Sequence, residues 1–198
     1  MDSRDKILAA VMANQPASMG LPDLSIFDVD GRGSQEEFTS VLHAIGGKAV
    51  HVSGYEQISQ MILKSHGENV RIISPVKQLQ QFRHESLEHV TSARDLHDVE
   101  VAIIKARFGV AENGAVWVTE HEMHFRALPF ITQHLAVILN ADAIVPTMHK
   151  AYDLISSASY GFGTFIAGPS KTADIEQALV IGAHGPRSMT VFILQEQL

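Results

Sequence analysis

The stretch Ala49 to Ile73, AVHVSGYEQISQMILKSHGENVRII, carries the reading on which the fold turns. Ala49 to Val52 reads as a short strand. Ser53 followed by Glu56 has the spacing of a capping box, and Ile58, Met61 and Ile62 then recur on one helical face until Gly67. Val70 to Ile73 reads as a second strand. Strand, helix and strand within so short a span point to parallel pairing, because parallel neighbours need a crossover connection and a helix is the usual one.

The same punctuation extends outward in both directions. Upstream, Ser34 and Glu37 form another capping-box pair. Phe38, Val41, Leu42 and Ile45 follow on one face before Gly46 and Gly47 end the helix. Earlier still, Ile7, Leu8, Val11 and Met12 predict an amphipathic helix over the first 14 residues, then a loop to about Gly33. Downstream, Val99 to Ile104 and Val116 to Val118 read as strands around a loop from Arg107 to Gly114. Leu135 to Leu139 reads as a fully buried strand, and Met148 to Ile155 as a helix entered through Pro146. Thr164 to Ala167, a helix from about Ala173 to Val180, and Thr190 to Leu194 complete the series. The fold class expected is α/β, three-layer, with a mostly parallel sheet, in one domain over 34–198 preceded by an extension over 1–33.

Composition narrows the function. A chain of 198 residues with 45% hydrophobic side chains is long enough to bury a proper core. Its longest apolar runs fall well short of the about 20 residues a spanning helix requires, and the charged N-terminus lacks the unbroken apolar core of a signal peptide, so a cytoplasmic location is expected. Cysteine is absent, which excludes disulfides, thiolate metal sites, cysteine-ligated iron–sulfur clusters and a cysteine nucleophile in this chain. With a formal charge of -7 and scattered basic residues, the chain lacks the basic stripe of a nucleic-acid binder.

The segment Gly168 to Arg187, GPSKTADIEQALVIGAHGPR, is the richest in functional groups. A strand runs into Gly168, Ser170, Lys171 and Thr172 and then into the expected helix. Exposed N–H groups and the helix dipole would therefore face an anion, with Lys171 adding a full charge. Asp174 in the first turn offers the alternative of a purely structural cap. Past the helix, Gly182-Ala183-His184-Gly185-Pro186-Arg187 is a turn that would return beside Ser170 to Thr172. There Arg187 could pair with a carboxylate or phosphate and His184 could exchange protons; alternatively the turn only connects helix to strand. The spacing of a P-loop is absent, so a nucleotide triphosphatase is not expected.

The run Gly168-Pro169-Ser170, Thr172 to Glu176, Gly182 and His184-Gly185-Pro186 resembles the C-terminal signature of LUD-domain proteins of the LutC/YkgG type. Phe108 to Gly114 is similar to that family's Ala-Glu-Thr-Gly-Thr loop, and Leu128-Pro129 with His134 to Leu139 to its Leu-Pro and buried-strand segment. The resemblance implies a NagB/RpiA/CoA-transferase-like fold, that of ribose-5-phosphate isomerase and the CoA transferases. It also implies a role beside two iron–sulfur partner proteins in oxidising lactate to pyruvate. A chain without cysteine fits the cluster-free member of that set. Asn113 and Ala115 depart from the pattern, standing where the family usually has threonines.

Two further groups carry chemistry. Glu112, in the loop between probable strands, is a candidate acid, base or nucleophile if desolvated, and otherwise a solvated loop carboxylate. Glu120-His121-Glu122-Met123-His124 lacks the H-E-x-x-H spacing. If extended, it would place Glu120, Glu122 and His124 on one face, as an exposed edge strand also would, and no metal or cofactor is assigned to it. Three functions follow as expectations. The leading one is an accessory or small-anion-binding subunit of lactate utilisation. A free-standing enzyme on a phosphorylated or carboxylated metabolite is the second, with Glu112 as acid or base and Lys171 and Arg187 as anion clamps. The third is a scaffold that docks through its N-terminal helix.

Overall fold

The structure, a computed structural model, describes residues 2–20, 22–23, 33–82, 90–156, 158–172 and 180–195. Its centre is a five-stranded, wholly parallel sheet. The strands are β1 (Lys48–Val52), β2 (Ile72–Ile73), β3 (Val101–Lys105), β6 (His134–Asn140) and β11 (Ser188–Leu194), in the order β1-β11-β6-β3-β2. β6 lies in the middle, and Leu135 to Leu139 are buried without interruption, as the continuous apolar run predicts for a strand covered on both faces.

Helix α2 (Gln35–Ala44) starts where expected, with the Ser34 hydroxyl accepting the N–H of Glu37 at 3.1 Å. The hydroxyl's own proton goes to Glu36 at 2.8 Å, so Glu36 takes the side-chain role the spacing assigned to Glu37. Helix α3 (Tyr55–His66) is capped by Gly54 rather than Ser53. The Ser53 N–H and hydroxyl both reach Gln57, at 3.0 and 3.3 Å, so Gln57 replaces the expected partner Glu56.

Alternation along the central strands assigns two faces. On one, Ile58 and Ile62 of α3 and Leu79 of the 3-10 segment Lys77–Phe82 pack against Val101, Ile103, Ala136, Ile138 and Phe192. On the other, Phe38 and Leu42 of α2 meet Ala102, Ile104, Leu135, Val137, Leu139, Val191 and Ile193. Each fully buried aliphatic side chain contributes about 1.5–3 kcal/mol, and these two clusters dominate the stability.

A second sheet shares the α2 side. It comprises β4 (Phe108–Val110), β5 (Ala115–Thr119), β7 (Ile144–Val145) and β8 (Gly163–Ile166), in the order β7-β4-β5-β8. β5 pairs antiparallel with both β4 and β8, whereas β4 and β7 run parallel. Val116, Val118 and Ile166 face the central sheet, while Phe108, Trp117 and Phe165 lie under Ala151 and Ile155 of α6 (Met148–Ser156), which follows the short helical turns α4 (Glu120–Met123) and α5 (Leu128–Ile131). The stretch expected as a loop from Arg107 to Gly114 therefore contains strand β4. A Cβ on Gly109 would stand 2.8 Å from Leu139 and 3.0 Å from Phe38, so the residue that makes the stretch look loop-like is what lets two layers approach.

Helix α1 (Ser3–Ala13) forms as predicted, but Ile7, Leu8, Val11 and Met12 stay exposed, Met12 at 73%. The helix expected over 173–180 falls on 173–179, outside the described residues. Val180 instead begins strand β10 (Val180–Ile181), antiparallel to β9 (Lys171–Thr172). Among the described residues no helix is long and apolar enough to cross a membrane.

Candidate functional site

Gly168 to Thr172 and the return turn do meet, as expected. The Ser170 N–H donates to the Pro186 carbonyl at 2.9 Å, the Gly182 N–H donates to the Ser170 carbonyl at 3.1 Å, and Lys171 and Thr172 pair with Ile181 and Val180. Gly168 has φ +72, and a Cβ there would stand 2.9 Å from the Ile45 carbonyl oxygen. The Lys171 ammonium donates to that same carbonyl, at the C-terminus of α2, where the helix dipole favours a cation. Lys171 is thus engaged in holding the loop to α2. His184 and Arg187 are exposed, Gly185 lies against Ser170, and the Arg187 stem packs over Gly182. Asp174 lies outside the described residues, as does the helix entrance proposed beside it.

Glu112 points elsewhere. Its carboxylate accepts the N–H of Met148 at 2.8 Å, at the first residue of α6, while its own N–H donates to Pro146 at 3.1 Å. This is capping by a side chain remote in sequence, an anion at the positive end of a helix. Asn113, at a position where the family usually has threonine, accepts the Ala115 N–H at 3.0 Å and closes the turn.

The extended reading of Glu120 to His124 gives way to a single helical turn, α4 (Glu120–Met123). Glu120 accepts from Arg126 at 3.0 Å and from the Gly161 N–H at 2.8 Å; Arg126 foremost, then Gly161, hold its pKa below the ordinary glutamate value. The Glu122 side chain is only 11% exposed. Burial pushes its pKa up, but hydrogen bonds from the Thr119 hydroxyl and N–H and from Arg107 outweigh this, and the net shift is downward. Both carboxylates are thereby occupied, and among the described residues no group of His, Asp and Glu is arranged to hold a metal.

Two further places are assembled only by the fold. The first is a cleft of about 390 Å³ at the carboxyl ends of the central strands. Lys105, Asn140 and Gln195 line it from β3, β6 and just past β11, with Ser53, Gly54 and Tyr55 from the β1–α3 connection and Gln78 opposite. The chain leaves β1 toward α3 on one face and leaves β6 toward the second sheet on the other, and open α/β sheets bind ligands where such exits diverge. A second cleft of about 490 Å³, lined in part by Ser34 and Asp142, adjoins it across Gln195, whose amide donates to Gln35 at 3.2 Å. A sequence cue existed: each apolar strand ends in a polar residue, Lys105, Asn140 or Gln195.

The second lies at the opposite ends of the same strands. His134 Nδ1 is 2.7 Å from the Ser188 hydroxyl and its Nε2 is 3.5 Å from Glu100, while the His66 ring lies tilted at 45° against it with centroids 4.7 Å apart. Burial foremost, and then the neighbouring His134, lower the His66 pKa against the opposing pull of Glu100.

Residues 73–194 match the LUD domain family, more than half of the chain, and the chain belongs to that family. It is similar to Lactate utilization protein C of Bacillus pumilus, 29% identical over 102 residues, covering 48% of this chain and 42% of that one. With Lactate utilization protein C of Anoxybacillus flavithermus the identity is 26%, covering 70% and 69%. For the Uncharacterized protein YkgG of Escherichia coli it is 25%, covering 77% and 65%. The matched region thus spans between 42% and 69% of the length of these curated relatives. A crystal structure of a DUF162 family protein from Deinococcus radiodurans superposes with a TM-score of 0.58 at 19% identity, over 80% of this chain and 94% of that chain, a likeness of fold.

Proposed function

We propose that this chain is a LutC-like subunit of a cytoplasmic lactate-utilisation system, working beside iron–sulfur partner proteins that oxidise lactate to pyruvate. The observation that carries the reading is the match to proteins named Lactate utilization protein C, reaching 70% of the chain, beside the LUD domain match over residues 73–194. The absence of cysteine supports a division of labour: this chain supplies no thiolates, so clusters reside in the partners. The exposed His184 and Arg187, on a turn tied to Ser170 through Pro186 and Gly182, form a polar surface suited to a partner or a small anion. Growth tests the proposal. A strain of the parent organism deleted for this chain should fail on lactate and grow normally on pyruvate, and equal growth on both would refute it.

The sheet-edge cleft favours a second reading, a free-standing enzyme acting on a carboxylated or phosphorylated metabolite; Glu112, the acid or base expected for such an enzyme, is not among the residues that line it. The Met148 N–H donates to the Glu112 carboxylate, which supports a capping task for that side chain instead. Turnover of a metabolite by the purified chain, lost in Glu112→Gln without loss of fold, would establish this reading over the first.

A further inference from the structure

From the cleft at the carboxyl edge of the central sheet we infer a binding site for a small monocarboxylate bearing a hydroxyl or carbonyl group, with Lys105 as its counter-ion. Lys105 is the one charged side chain lining the cleft, at the end of β3, and is half-buried. Among the described residues no carboxylate or carbonyl pairs with its ammonium, and a partly desolvated cation of this kind is best satisfied by an anion. Around it stand the side-chain amides of Asn140, Gln78 and Gln195. Amides both donate and accept, so they suit a hydroxyl or carbonyl neighbouring the carboxylate better than a bare apolar tail. One cation balances one negative charge, which selects a monocarboxylate over a di- or triphosphate.

The volume of about 390 Å³ lies in the range of small-molecule sites and exceeds the need of a three-carbon acid, leaving room for bound water or a longer acyl chain. Gly54 keeps one wall open: a Cβ there meets nothing within 4 Å, and its extended backbone, φ 177 and ψ 172, admits any residue. The preference for a carboxylate over other single-charged anions rests on the lactate-utilisation reading; the cleft and its cation do not.

Saturation-transfer NMR on the purified chain with L-lactate, pyruvate and 2-hydroxybutyrate, each at millimolar concentration and with inorganic phosphate added as a competitor, tests the site. At least one of the three acids should show transfer. Lys105→Met should weaken its apparent affinity at least tenfold while circular dichroism stays native. Gly54→Val, which fills the cleft without touching the charge, should weaken it comparably and serves if Lys105→Met does not fold. Transfer to none of the three acids, complete loss of their transfer on adding equimolar phosphate, or affinity unchanged in both variants overturns the assignment. These results are separable from the growth phenotype: a strain that fails on lactate while the purified chain binds no acid refutes the cleft and leaves the lactate role standing.

Discussion

Lys171 and Ile45, 126 positions apart, are joined by a hydrogen bond from the lysine ammonium to the carbonyl that ends α2. The bond ties the Gly168–Arg187 region to the helix whose Phe38 and Leu42 fill the core. Lys171→Met should lower stability by about 0.5–1 kcal/mol, the usual worth of an exposed cation at a helix C-terminus, read as a shift in the urea midpoint. An unchanged midpoint would return Lys171 to the role of anion clamp.

Gly168 makes the same junction from the other side. Its φ of +72 and the 2.9 Å between a built Cβ and the Ile45 oxygen leave no room for a side chain. Gly168→Ala should cost about 2 kcal/mol or more, since left-handed backbone alone costs about 1–2 kcal/mol. Thermal unfolding measures it, and a melting temperature equal to that of the wild type would contradict the contact.

For Glu112 the expectation is structural. Glu112→Ala should destabilise by about 1 kcal/mol through loss of the acceptor at Met148 N–H, whereas Glu112→Gln, which keeps an oxygen, should lose less than half of that. Equal losses would show that charge, rather than the hydrogen bond, holds the start of α6.

Stability should fall with acid in two windows. The His66 pKa is lowered in the fold, chiefly by burial, so the folded state binds fewer protons than the unfolded one; its contribution is present above about pH 6.5 and is lost as pH falls through the folded value. Glu122 is also lowered, the bonds from Thr119 and Arg107 overcoming burial. Its contribution is complete above the unfolded value of about 4.3 and disappears below that. Urea titrations from pH 7 to 3 should show His66→Gln flattening the first window and Glu122→Gln the second. A His66→Gln profile parallel to the wild type between pH 7 and 5 would exclude the first assignment.

How far these relationships were legible depends on their range along the chain. The faces of α2 and α3 are periodic over many residues and β6 is one unbroken apolar run, and the folded chain keeps all three. The meeting of Ser170 with Pro186 was also readable, because strand and return turn bracket a short segment. β4 was not: three residues with a glycine at their centre carry no period, and the strand exists because Leu139 and Phe38 leave space only for Gly109. The displaced cap of α3 turned on Gln57 competing with Glu56 for Ser53, a choice between neighbours that spacing does not resolve. The cleft is assembled from Ser53, Lys105, Asn140 and Gln195, brought together only by strand order, so each alone reads as a polar strand end.

The proposed participation in lactate oxidation is read from the rate of that reaction. Extracts of lactate-grown parent cells and of the strain deleted for this chain are compared for lactate-dependent pyruvate formation, with and without the purified chain added back. The rate should be at least tenfold lower in the deleted extract and should recover on addition of the chain. An equal rate in both extracts would contradict it.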